Sequence, residues 1–272
     1  MKRFIQYRPI VSEEAGPWRW KSSGMGYILQ AENGHFVLID GGMDKEDADR
    51  IVLLLEENSD QPIVDYWIIT HPHADHYTAI MAFADNDELK QRVKVNAVVF
   101  NNPESFEERV DVPMQQMKLL PEKLGCRYIK PHSDDVLVAD DMSFHFLFTW
   151  EDFPVEDSNS LSLMFDVTVS GGKRIMITGD AYGEVMHPVL KKYADHPEYF
   201  KCDVVQMAHH GLEDDCPQFY ETVGARIVLV PISLAGYGAL LEGKLKPVDL
   251  KKAISIADEV IYACHGTREI VF

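Results

Sequence analysis

The chain has 272 residues, 46% of them hydrophobic, and a formal net charge of −18. That size and apolar content suffice for a large buried core, whereas the acidic excess opposes the broad basic surface that long nucleic acid requires. Four scattered cysteines (Cys126, Cys202, Cys216 and Cys264) show no Cys-x-x-Cys spacing, so neither a zinc ribbon nor a disulfide framework is indicated.

From Met1 to Pro9 there is no apolar h-region, and no later run approaches the length of a membrane span. Cytoplasmic residence without a membrane partner is the expectation. The most distinctive loop is Pro17-Trp18-Arg19-Trp20-Lys21-Ser22-Ser23-Gly24. Its two tryptophans suit either a substrate mouth or a plug at a sheet edge.

The first folded unit follows. Apolar runs at 26–30 and 36–42 flank Glu32-Asn33-Gly34, a strong hairpin signal. A helix over 44–57 then carries Ile51, Leu54 and Leu55 at helical spacing, with Asp44 placed to cap it. The run 64–69, rich in β-branched and aromatic residues, predicts a buried strand.

Directly after it comes Thr70-His71-Pro72-His73-Ala74-Asp75-His76. His71 and His73 lie two apart, so in extended geometry both imidazoles reach one ion. Asp75 and His76 open the next helix, from which they reach a second ion beside the first. Only 11 histidines serve the whole chain, and core packing does not require three of them within six positions.

Further on, Asn101-Asn102-Pro103-Glu104 follows a strand and borders the same region. A helix over 114–124 ends at Gly125, with Met114, Met117 and Leu120 as core. Short strands are expected at 127–130, 135–139 and 142–149. A second unit repeats the first: strand 160–169, a Ser170-Gly171-Gly172 turn, strand 174–180 ending in Thr178-Gly179-Asp180, and a helix over 182–194. Gly179 permits an unusual backbone angle just before the carboxylate. Strand 203–207 leads into Ala208-His209-His210-Gly211, and His265 follows a strand at 260–264. Ligand-type residues thus arrive at several strand ends, as one rim of a layered α/β fold would supply them. No linker divides the chain and ligands from both halves must meet, so 1–272 reads as a single domain. Two ββα units facing one another give a pair of central sheets with helices outside.

The order His-x-His-x-Asp-His, Thr-Gly-Asp, His-His-Gly resembles the metallo-β-lactamase superfamily of metal-dependent hydrolases. Asn159-Ser160-Leu161-Ser162-Leu163, the Gly-Gly hairpin, Ile177 to Asp180 and Ala208 to Gly211 are most similar to the branch typified by the hydrolase domain of bacterial competence DNA-uptake proteins. The resemblance runs from Gly24 to the C-terminus. It implies a four-layer αββα sandwich with a metal site at one rim of the sheets. It also implies one or two zinc ions, with manganese or iron as alternatives, and a metal-activated hydroxide that attacks the substrate. By the same resemblance His71 and His73 serve the first ion, Asp75 and His76 the second, and Asp180 bridges them. Asp75 also orients the hydroxide. His209 completes the second site, with His210 a ligand or an outer partner. Asp40 steadies a ligating histidine, Asn159 and Ser160 hydrogen-bond near the bridging aspartate, and His265 is an outer candidate.

One departure matters. Many relatives carry a third histidine for the first ion, and here only His132 and His145 lie between His76 and Asp180. His132 falls in a turn and His145 within a strand, so the first site is expected to be weaker, or completed by water, His210 or His265. His187 and His196 read as surface residues. The expected activity is hydrolysis of a small phosphodiester. Ester, thioester or lactone hydrolysis is the alternative on the same fold, and a metal-bound binding protein without turnover is the alternative outside enzymes. Diiron redox relatives carry a carboxylate in place of the second histidine, which His73 disfavours. The expected partner is a small-molecule substrate, phosphorylated or not, rather than long nucleic acid.

Overall fold

The computed structural model describes residues 1–10, 24–104, 106, 114–212 and 215–271. The first sheet is built from β1 (Arg3–Gln6), β2 (Gly26–Gln30), β3 (Phe36–Asp40), β4 (Ile63–Ile68), β5 (Lys94–Val95), β6 (Ala97–Val99) and β7 (Arg127–Ile129). The second contains β8 (Val136–Ala139), β9 (Met142–Phe148), β10 (Met164–Thr168), β11 (Arg174–Ile177), β12 (Val204–Gln206), β13 (Ile227–Val230) and β14 (Glu259–Tyr262). The last strand, β15 (Arg268–Glu269), crosses back to pair antiparallel with β1.

Each sheet changes character halfway. β1, β2 and β3 pair antiparallel, whereas β3, β4, β6 and β7 pair in parallel. Likewise β8 to β11 are antiparallel and β11 to β14 parallel. The parallel halves need helical crossovers. In the first half these are α1 (Glu46–Glu56), α2 (Ala74–Ala84), α3 (Asp87–Arg92), α4 (Met114–Met117) and α5 (Leu120–Leu124). In the second they are α6 (Gly183–Lys192), α7 (Pro217–Val223), α8 (Leu234–Leu241) and α9 (Val248–Ile256).

Strand sequences read as unbroken apolar runs because both faces are covered. In β3, Val37 and Ile39 enter the core between the sheets, while Phe36 and Leu38 pack beneath α1 and α2. In β11, Ile175 and Ile177 face the other sheet and Met176 faces the outer helices. Three apolar layers result: Phe144, Phe146 and Phe165 anchor the middle, Trp67 and Phe83 one flank, Phe200 and Phe219 the other. That is the four-layer αββα sandwich. Each such side chain contributes about 1.5–3 kcal/mol by leaving water, so the fold does not depend on a metal for its core.

Both hairpin units are present where the Asn-Gly and Gly-Gly turns place them, each followed by a helix. Asp44 Oδ1 accepts the Glu46 amide (3.0 Å) at the start of α1. The helix expected over 114–124 is instead two short pieces. Pro121 has no N–H to donate and occupies the opening turn of α5, so a new helix begins there. Gly125 ends it in the left-handed conformation (φ 60°). Among the described residues no helix is long and apolar enough to cross a membrane.

Candidate metal centre

The C-terminal ends of the parallel strands converge on one rim, where sheets of this type present their ligands. β3 delivers Asp40, β4 leads into His71 and His73, β11 into Asp180, and β12 into the turn Ala208–Gly211. Asp75 and His76 lie in the first turn of α2, whose N-cap is His73 in extended conformation. A backbone hydrogen bond from Leu163 N to Thr70 O (2.9 Å) ties the first ligand loop to the second sheet.

Asp75, His76, Asp180 and His210 each place one donor atom within 4.8 Å of the others. His76 Nε2 is 3.2 Å from Asp180 Oδ2. His210 Nε2 is 3.0 Å from Asp75 Oδ2 and 3.3 Å from Asp180 Oδ2, without lining up to hydrogen-bond with either. His71 Nε2 reaches Asp180 Oδ2 at 3.8 Å. His73 stands beside it, rings 4.5 Å apart, with Nε2 2.7 Å from Ser158 Oγ. His71, His76, Asp180 and His210 are essentially inaccessible, whereas the Asp75 side chain is 17% exposed. The centre is therefore open on the Asp75 and His73 side.

The far nitrogens decide what the near ones offer. His210 Nδ1 lies 2.8 Å from Pro231 O; a carbonyl only accepts, so Nδ1 carries the proton. His76 Nδ1 donates to Asp40 Oδ2 (2.7 Å). Thr70 Oγ1 donates to Asp40 Oδ2 (2.8 Å) and accepts from His71 Nδ1 (3.2 Å). Each of these imidazoles, when neutral, turns an Nε2 lone pair toward the carboxylates. His71 Nε2 and Asp180 Oδ1 are buried with no hydrogen-bond partner among the described residues. Converging lone pairs and two carboxylates repel unless something positive lies among them.

Protonation follows the same logic. Burial opposes the imidazolium of His210, but the Asp180 and Asp75 carboxylates outweigh it and push His210 up to about 10. His76 is likewise held well above the usual imidazole range, burial being overcome by Asp180, Asp40 and Asp75. Burial and the neighbouring His76 and His73 push His71 well below it. Asp180 and Asp75 sit well below the usual carboxylate range: burial would raise them, but His210 and His76 prevail. Burial lifts Asp40, and its bonds to His76 and Thr70 offset that only in part. The carboxylates that favour protons on His76 and His210 would equally favour a cation, and a mixed nitrogen and oxygen donor set with unpaired buried atoms fits a zinc-like divalent ion.

The backbone around the centre is unusual. Asp40, His209 and His210 are left-handed (φ 55°, 44° and 59°), a conformation that costs a non-glycine residue about 1 kcal/mol or more. Gly179 is left-handed too (φ 56°), and an added Cβ would sit 2.7 Å from Ser162 Cβ, so only glycine fits. Gln206 holds this turn by accepting from Thr178 N and donating to Gly179 O, both at 2.8 Å. Ser162 Oγ accepts the Asp180 amide (2.9 Å).

The remaining candidates take different places. Among the described residues it is His210 rather than His209 that stands among the carboxylates, both residues being left-handed instead of extended. His209 Nδ1 pairs instead with the Tyr182 hydroxyl (3.3 Å). His265 is exposed and packs on Tyr237 and Tyr262 (ring centroids 4.8 and 5.6 Å), outside the four-donor cluster. Asn159 is buried, and its Nδ2 donates to Asp157 (2.9 Å) and Tyr182 (3.0 Å). Asn101 is buried and engaged with Pro131, Glu151 and Trp150. The Trp18-Arg19-Trp20 loop lies outside the described residues. Thr70, Ser158, Tyr182 and Gln206 were missed. Thr70 was signalled by its place before His71, whereas the others become neighbours only through the fold.

Residues 22–216 match the family model of the metallo-beta-lactamase superfamily. No curated protein matches the chain. Among solved structures, the metallo-beta-lactamase fold protein YhfI from Bacillus subtilis is similar over 99% of this chain and 100% of its own, with 16% identity and a TM-score of 0.59. CmlA, a diiron beta-hydroxylase from Streptomyces venezuelae, matches 99% of this chain and 54% of its own, at 10% identity and TM-score 0.56. A diphosphatase from the PhnP family matches 99% of each chain at 12% identity and TM-score 0.51. At these identities the likeness concerns the fold.

Proposed function

The chain belongs to the metallo-beta-lactamase superfamily, and we propose that it is a cytoplasmic single-domain enzyme that hydrolyses a small phosphodiester with a bound divalent metal, zinc first. One observation carries the reading: Asp75, His76, Asp180 and His210 converge within 4.8 Å while Asp180 Oδ1 stays buried without a partner. A bound cation would supply Lewis acidity and lower the pKa of water at the centre. His71, His73, Asp75, His76, Asp180 and His210 would hold it. Asp40 and Thr70 fix the imidazole orientations, and Asp75, on the open side, is placed to orient the attacking water. The buried walls exclude bulk solvent from everything but that side.

A phosphodiester is favoured because a positive centre suits an anionic ester, while the charge of −18 repels a long polyanion. A diphosphatase of like fold supports hydrolysis at phosphorus. The segments around Asn159 and Ala208–Gly211 support a place near the competence-type branch. The test is a panel run with added zinc or manganese: a bis-aryl phosphodiester, a cyclic dinucleotide, short single-stranded DNA, long DNA, a thioester and a lactone. The phosphodiesters should be cleaved first and long DNA poorly. Preferred cleavage of long DNA, or of the lactone or thioester, would overturn the substrate class. Metal-loaded protein inert toward every member would favour a binding protein.

A further inference from the structure

The histidines of the ligand loop are not equally supported. Asp75, His76, Asp180 and His210 supply two nitrogens and two oxygens, a fuller set of protein donors than the pair His71 and His73. His71 and His73 stand beside it, and Ser158 Oγ lies 2.7 Å from His73 Nε2. Ser158 is 7% exposed and opens the turn Ser158–Leu161. Asp157 Oδ1 pins that turn by accepting from Asn159 N (2.8 Å) and Nδ2 (2.9 Å). The two histidines between His76 and Asp180 are committed elsewhere. His132 pairs with Glu151 (2.8 Å) and His145 with Asp166 (3.3 Å).

We infer that the centre holds one divalent cation strongly, in the Asp75, His76, Asp180 and His210 set, and that Ser158 is the third protein group of a second, weak position at His71 and His73. The inference rests on reading the cluster as a metal centre. A neutral alcohol is a poorer donor than an imidazole or thiolate for zinc-like ions. Asp180, 3.8 Å from His71 and 3.2 Å from His76, serves both positions.

Metal binding tests this without substrate. Stripped protein is titrated with Co(II), and bound metal is counted after gel filtration. Wild-type protein should retain one equivalent, with a second bound at least ~10–100-fold more weakly. His210→Ala should lose the retained ion and His73→Ala should keep it. Ser158→Cys, nearly isosteric, should retain a second equivalent and show a sulfur-to-cobalt charge-transfer band that wild type lacks. Two equivalents of equal affinity in wild type would overturn the inference, as would Ser158→Cys with neither second ion nor band. Should that variant not fold, Ser158→Asp supplies a carboxylate and the metal count decides. One tight ion and the Ser158→Cys band, with no hydrolysis of any panel member, support this inference and sink the hydrolase reading; no bound ion sinks both.

Discussion

Asp40 ends β3 and Asp180 follows β11, equivalent places in the two ββα units, yet their carboxylates meet opposite surroundings. Asp40 Oδ1 accepts Thr70 N, its Oδ2 accepts Thr70 Oγ1 and His76 Nδ1, and its backbone carbonyl takes the Trp67 indole N–H (2.9 Å). Asp180 Oδ1 has no partner among the described residues, and Oδ2 faces Nε2 of His71, His76 and His210. One local device therefore has two uses. A carboxylate saturated with donors acts as a strut, and one left short of them is available to a cation.

Substituting the two aspartates should separate these uses most clearly. Asp180→Asn should abolish metal retention and reduce turnover at least ~100-fold. Asp40→Asn should keep an ion at ~10–100-fold lower affinity and lose about 1–3 kcal/mol of stability, because Thr70 and His76 meet a poorer acceptor. Metal analysis and urea denaturation of both variants check this. Equal metal loss in the two would break the contrast.

Proton competition gives the next largest effect. His76 and His210 hold protons that a cation must displace, so metal binding at pH 7 should release about two of them. Affinity should climb with pH until His210 deprotonates at about 10, on the order of tenfold per unit for each proton displaced. Calorimetry in buffers of different ionisation enthalpy measures the count. Affinity that stays flat between pH 6 and 9 would show that the imidazoles are already neutral.

Asp47 extends the comparison away from the rim. It is buried, accepts from the Tyr7 hydroxyl, Ile10 N (2.8 Å) and Asp44 N (3.1 Å), and burial pushes it up to about 6. Because its folded pKa exceeds its unfolded value, the folded state binds the proton more tightly. Its stabilising contribution is full below about pH 4 and is lost as pH rises through about 6. Relative to Asp47→Asn, wild-type stability should fall by on the order of 1–3 kcal/mol between pH 4 and 7. A constant difference in urea midpoints would show that Asp47 is ionised throughout.

The smallest effects belong to His132→Ala and His187→Ala, both exposed. Each should change stability by less than ~0.5 kcal/mol and leave bound metal unchanged. Metal loss on His132→Ala would return that residue to the centre.

Much of this was legible because it is periodic or local. The Asn33-Gly34 and Gly171-Gly172 turns fixed two hairpins, the apolar runs fixed strands covered on both faces, and the 71–76 spacing placed four polar side chains at one strand end. The choice between His209 and His210 was not legible. It depends on two consecutive left-handed residues and on Pro231 O, 21 positions away. Ser158 meets His73 across 85 positions, and no local pattern announces such a contact. Apolar spacing runs unbroken across 114–124, whereas Pro121 starts a new helix within it.

The pairing of β15 with β1, Ile5 opposite Glu269 and Gln6 opposite Arg268, has a kinetic consequence. One border of the first sheet is completed by residues some 260 positions downstream of those they cover. Until β15 has been made, the outer border of β1 presents unpaired amides and carbonyls, a template for intermolecular strand addition. Refolding should accordingly be slow and concentration-sensitive, with the β1 amides that face β15 among the last to gain protection in pulse-labelled hydrogen exchange. Early protection there would mean that β1 is shielded before β15 docks.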